Sequence, residues 1–252
     1  PKLRELHGQP LPESIRKGQR FTSMTSGYAP RIAQSEHEFA RMGQSGHEMN
    51  VLFKHLGGVA DDLTFIRSMH TEPINHDPAV TFMQTGSGVE GRPSMGSWLS
   101  YGLGAENSDL PAFVVLVSNG GQPLLSRYWH NGFLPSRHQG VQFQTRGDPV
   151  LFLSDPNGID RKNRGQLIER MNQLNRLRYE QVRDPEIEAR IDAFEMAYRM
   201  QASVPELMDL SSESKATLDM YGARPGQPSF ANNCLLARRL AERGVRFIQL
   251  YE

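Results

Sequence analysis

The chain has a single cysteine, Cys234, in 252 residues. That excludes an intrachain disulfide and any cysteine-rich zinc module, and it leaves the redox compartment open. Charge of one sign is equally lacking. Twenty-eight basic side chains stand against 28 acidic ones, a formal net charge of zero, so there is no electrostatic footprint for nucleic acid or for an anionic membrane surface. Long hydrophobic runs are missing too. The longest, "PAFVVLVS" around Phe113, falls far short of the roughly 20 apolar residues that span a bilayer. No internal repeat or low-complexity segment is evident.

Two familiar motifs fail on inspection. "TGSGVEG" is glycine-rich but has no P-loop lysine, and Gly86, Gly88 and Gly91 follow a helix where a dinucleotide fingerprint follows a strand. "GRPSMGSW" places Ser94 before Gly96, but Arg92 stands where G-x-S-x-G needs its first glycine.

What is present is an alternation of helical and strand signals. A polar stretch over 1–45 leads to a helix expected near 36–43, and "GHEMNVLFKHLGG" reads as a helix from 46 to about 56. A strand is expected at 63–69, then helices at about 78–84 and through "SMGSWLSYGLG", which ends on a glycine cap. The continuous run in "LPAFVVLVS" fits a strand covered on both faces, and strand, helix, helix, strand implies a βαβ crossover. The loop-rich 119–157 connection is long enough to be functional or a packed lid. In it, His130 and His138 would place basic groups over a ligand, or Tyr128, Trp129 and Phe133 only pin the loop. Beyond it, Leu167, Met171, Leu174 and Leu177 share one helical face, as do Ile187, Ile191, Phe194 and Tyr198. Such stripes ordinarily pack inward. A last helix contains Cys234 as a buried structural thiol, stops at Gly244, and a strand follows at 245–251. The fold class expected is α/β: a mostly parallel sheet flanked by helices, with a helical excursion at 158–222.

The densest chemistry lies in "HTEPINHDPAVTFMQTGSG", residues 70–88. Asp77 before Pro78 is a strong helix start, with an acceptor at the cap and a fixed φ behind it. Asn75, His76 and Asp77 then sit at the positive end of a helix dipole, where free N–H groups receive an anion. The preceding strand would deliver His70, Thr71 and Glu72 to the same sheet edge. A well-capped helix explains the pattern as well.

Taken in order, "DDLTFIRSMHTE", "NHDPAVTFMQTG", "GRPSMGSWLSYGLGAENSDLPAFVVL", "WHNGFLPSRHQGVQF", "FEMAYRMQ" and "LLARRLAERGVRFIQLY" resemble the middle of a bacterial sulfatase-like family in the alkaline phosphatase superfamily. The resemblance covers essentially the whole chain. It implies one incomplete alkaline-phosphatase-like domain over 1–252, with N- and C-terminal flanks that hold most metal ligands lying outside it. The start at Pro1 and the stop at Glu252, just after the apparent strand "VRFIQLY", agree with an interior piece, so a missing signal peptide says nothing about export.

The resemblance further implies a metal-dependent hydrolase of sulfate or phosphate esters, using zinc, calcium or manganese, exported or periplasmic, and inactive as this piece alone. Sulfatases carry Cys-x-Pro-Ser-Arg at a helix start. Pro78 matches the proline and His76 stands where the nucleophile belongs, which removes the formylglycine route. His76 would then bind a metal, form an adduct or contact an oxyanion. Thr71 and Asn75 are substitutes as nucleophile or anion contact, and Asp77 is a cap beside them. The partner expected is an anionic small-molecule or glycan ester. The alternative is a non-catalytic protein that binds an anionic glycan or a partner protein.

Overall fold

The structure is a computed structural model and describes residues 2–16, 27–73, 75–118, 125–144, 149–150 and 160–252. The chain divides into two compact units, Pro1–Ile74 and Asn75–Glu252.

The first unit has two helical turns, α1 (Lys2–Glu5) and α2 (Glu13–Arg16), then β1 (Phe39–Met42) antiparallel to β2 (His47–Asn50), and α3 (Lys54–Gly57). The helices expected over 36–43 and 46–56 are therefore replaced by a hairpin and short turns. The reversal is made by Gly43 and Gly46 at φ 72° and 66°, a region L side chains avoid. Asp61 completes it: its carboxylate accepts from the Gln44 and Ser45 backbone N–H groups at 2.7 and 2.9 Å. The strand expected at 63–69 does not form. That stretch is irregular, with Leu63, Ile66 and Met69 exposed. A run of apolar residues becomes a strand only where a neighbour takes its backbone groups, and among the described residues none does. The crossover expected to start there is lost with it.

The second unit runs α4 (His76–Thr85), α5 (Met95–Leu103), β3 (Phe113–Val117), β4 (Val141–Phe143), α6 (Arg161–Val182), α7 (Pro185–Met208), α8 (Lys215–Tyr221), α9 (Phe230–Glu242) and β5 (Phe247–Tyr251). Its strands form a parallel sheet in the order β4-β3-β5, with Val114 level with Val141 and Ile248. The central strand is buried on both faces, as its unbroken apolar run requires. Val114 and Leu116 face a core with Val204 and Leu207 of α7 and Leu235 and Leu240 of α9. Phe113 and Val115 face the other way, against Tyr128, Trp129 and Val80 of α4. The class expected, a parallel sheet flanked by helices, is what forms. Parts of the long connection, 119–124, 145–148 and 151–159, lie outside the described residues.

Close approach of α5 depends on Gly96. A Cβ there would stand 2.5 Å from both Phe113 Cε1 and Phe247 Cδ1, so the helix lies directly on two strands. Ser94 caps this helix, its Oγ accepting from Ser97 N–H at 3.4 Å. That buried serine has a structural use.

Most of the expected inward stripe of α6 faces out, with Met171 alone half-buried. Asn172 is its buried residue, while Leu167, Leu174 and Leu177 are exposed. Periodicity identified a face but not which side the neighbour takes. Residues 187–198 fare better, with Ile191 buried, although Phe194 is partly open.

Candidate functional site

α4 is a ten-residue helix whose start coincides with the chemically dense stretch. Asn75 occupies the cap position with extended backbone but makes no side-chain cap bond. His76 is the first helical residue and Asp77 the second, so Asp77 is not the cap that the Asp-Pro pair suggested. Pro78 falls two residues later than expected. It has no N–H, and the Ala79 N–H is already bonded to the Asn75 carbonyl at 3.0 Å. The free donors of the first turn are thus those of His76 and Asp77. All three side chains, Asn75, His76 and Asp77, are exposed. Thr71 is exposed as well, in an irregular stretch of the first unit.

Asp77 has a different partner. Arg127 Nη1 donates to its two carboxylate oxygens at 2.8 and 3.0 Å and pairs with Glu90 at 2.8 Å. Arg127 lies in the turn Leu125–Tyr128. The next residue, Tyr128, stacks on Tyr251 at the end of β5 with centroids 5.1 Å apart. This chain of contacts fixes the α4 N-terminus near the carboxyl edge of the sheet. At the far end of α4, Gln249 Nε2 from the middle of β5 donates to Gln84 Oε1 at 2.6 Å, so the helix also rests against that strand.

The closing Thr-Gly-Ser-Gly is a helix stop. Gly86 takes φ 72° as the C-cap, and the Thr85 hydroxyl accepts from the Ser87 N–H at 3.2 Å.

Deeper at the same edge, Asn233 Nδ2 donates to Ser118 Oγ at 3.0 Å, and Asn233 Oδ1 is buried without a partner among the described residues. The Tyr251 hydroxyl is likewise buried and has no partner among the described residues. Burial pushes its phenol well above the ordinary tyrosine value, with Tyr128 adding to the shift. Burial, then the Glu252 charge, raises the Cys234 thiol. Cys234 is half-buried in α9, and a thiol held protonated is a poor nucleophile.

The two histidines of the long connection have partners within the fold. His130 Nδ1 accepts from the Gly132 N–H at 2.8 Å, and His138 Nδ1 contacts Ser100 Oγ at 3.0 Å. Tyr128 and Trp129 are buried and pin the loop, whereas Phe133 stands exposed against Trp98, 5.7 Å away. No group of three or more His, Cys, Asp or Glu side chains suited to a metal occurs among the described residues. No helix among them is long and apolar enough to cross a membrane.

Sequence reasoning missed Arg127, Ser118, Asn233 and Tyr251. Only Arg127 carried a usable signal, a cation beside the aromatic pair of "RYWHNGF".

The model of a family described as a protein of unknown function, DUF1501, matches residues 1–252, and the chain belongs to that family. No curated protein and no solved structure matches. The resemblance to the sulfatase-like, alkaline-phosphatase-superfamily proteins is thereby corrected: the family that spans the whole chain has no stated function, and no match places the chain in that superfamily.

Proposed function

We propose that this DUF1501 member binds an anionic ester, a phosphate or a sulfate, at the N-terminus of α4 and takes part in its hydrolysis. One observation carries the reading. The α4 N-terminus lies at the carboxyl edge of a parallel sheet, where open α/β folds hold their ligands, and a cation, Arg127, stands beside it.

The roles follow from the chemistry of the groups. The N–H groups of His76 and Asp77, the Asn75 amide and the helix dipole receive the oxyanion. Arg127 exchanges one of its carboxylate partners for the ester oxygens, since a guanidinium matches that geometry. His76, exposed at the same turn, takes a proton from the attacking water as the ester P–O or S–O bond breaks, and returns it to the leaving alcohol oxygen. The described residues offer no three-donor cluster for the expected zinc, calcium or manganese, and no step is routed through a metal.

A second reading, binding of an anionic glycan without catalysis, is favoured by a separate surface. Trp98, Tyr101 and Phe133 are exposed and in edge contact, with Arg137 close by at His138. Exposed aromatic faces beside a cation suit a charged sugar.

The test is an amide-resonance titration of the chain with inorganic phosphate and with sulfate. In parallel, release of nitrophenol from its phosphate and sulfate esters is followed with and without added divalent metal. Shifts centred on 75–79 and weakened by Arg127→Ala support the reading. Shifts confined to the Trp98 surface with a charged oligosaccharide, and none with phosphate, transfer it to the glycan alternative.

A further inference from the structure

Helix α6 is built the wrong way round for a helix that ends its packing at α7. Spacings of three and four residues put Leu167, Arg170, Leu174, Leu177 and Arg178 on one side, and that side faces out. Leu174 is 67% exposed, Leu177 59% and Leu167 51%. The opposite side, turned to α7, holds Gly165 against the Tyr198 ring and the buried Asn172, whose Nδ2 donates to Glu195 Oε1 at 3.1 Å.

The outer side has a heptad layout. With Leu167 and Leu174 at a, Arg170 and Leu177 fall at d, and Arg178 flanks them at e. α6 carries six basic and two acidic side chains. Arg170 and Arg178 form no ion pair among the described residues.

We propose that the outer face of α6 docks an acidic amphipathic helix of another polypeptide. The leucines supply the apolar seam, and the partner supplies carboxylates opposite Arg170 and Arg178. A second copy of α6 is a poor occupant. In antiparallel pairing about Leu174, Arg170 of one helix meets Arg178 of the other, and in parallel pairing each arginine meets itself; like charges are then desolvated together. A membrane surface is a poorer fit as well, because the apolar stripe is narrow and carries no Trp or Phe.

The probe is a synthetic helix of about three heptads with Leu at a and d and Glu flanking them, with a Lys-for-Glu version as control. Fluorescence anisotropy on the full chain reads the binding. The acidic probe is expected to bind, and to bind at least about tenfold more tightly than the basic one. Arg170→Glu with Arg178→Glu, and separately Leu174→Ser, are each expected to weaken it about tenfold or more. These positions are exposed, so unchanged circular dichroism confirms that the variants fold. Equal affinity for the two probes, or no binding of the acidic one, overturns the proposal. So does a concentration-dependent dimer abolished by Leu174→Ser, which assigns the face to a second copy. Co-sedimentation with phosphatidylserine vesicles that depends on Leu174, without binding of the acidic probe, assigns it to a membrane and overturns it too.

Discussion

Arg127 Nη1 reaches both carboxylate oxygens of Asp77, at 2.8 and 3.0 Å, across 50 residues of sequence. The contact ties the start of α4 to the turn that follows β3, and it places a cation already neutralised by two carboxylates where an oxyanion is proposed to bind. Both partners are partly open to solvent, so the pair adds little to stability, within about 1 kcal/mol. Its weight is electrostatic. Removing the internal anion with Asp77→Asn is expected to tighten inorganic phosphate binding several-fold, and Arg127→Ala to weaken it, with melting temperature nearly unchanged in both. Phosphate affinity by resonance titration decides it: an Asp77→Asn variant that binds no better denies Arg127 the role.

How much of this was legible in the sequence depends on the distance over which each feature is specified. Local signals held. Asp184-Pro185 starts α7, with the Asp184 side chain accepting from the Glu186 N–H at 3.0 Å, and the run around Phe113 is a doubly covered strand. The β1–β2 hairpin was not legible, because its turn is completed by Asp61, 17 residues from Gln44. Strand β4 is three residues long, too short to show a period. For α6 the period was correct and the facing was not, since a stripe of leucines says nothing of what lies opposite. At the candidate site, Asn75, His76 and Asp77 were identified as a helix start. Arg127, the charge that modifies it, comes from a distant turn that no local pattern announces.

Gly96→Ala tests the seating of α5. The added methyl meets Phe113 and Phe247 at 2.5 Å, and both rings are flanked by packed neighbours. Overpacking of this kind costs about 1–3 kcal/mol. The expected result is a lower urea midpoint with unchanged slope. An unchanged midpoint means that α5 does not rest on the strands as described.

Arg239 holds together the far side of the sheet. Its guanidinium is nearly buried, pairs with Glu213 at 3.1 Å, and donates to the carbonyls of Asp209 and Glu206 at 3.0 and 2.8 Å. Arg239→Ala leaves two carbonyls without their donor and leaves Glu213 with Arg238 alone, at 3.0 Å, and each buried acceptor left unpaired costs about 1–3 kcal/mol. Arg239→Met, combined with Glu213→Leu, removes both charges of that pair while Arg238 keeps Glu242 at 3.1 Å, and is expected to recover part of that loss. Urea denaturation of the single and double variants measures the coupling. Additive losses would mean the two residues act independently.

His138 gives the chain a stability that depends on pH. Arg137 Nε donates to its Nε2 at 3.3 Å, and a guanidinium only donates, so Nε2 carries the lone pair. Nδ1 then bears the proton and donates to Ser100 Oγ at 3.0 Å. Desolvation, followed by the Arg137 charge, holds the ring below the ordinary histidine value. The neutral ring is thus the one the fold accepts. Above the unfolded value of about 6.5 both states are neutral and the ring imposes no penalty. As pH falls through that value the unfolded chain takes up the proton first, and stability declines until the folded value is passed. The melting temperature is therefore expected to drop as pH falls below about 7, and His138→Gln is expected to flatten that part of the profile. An identical profile in the variant would assign the decline to other groups.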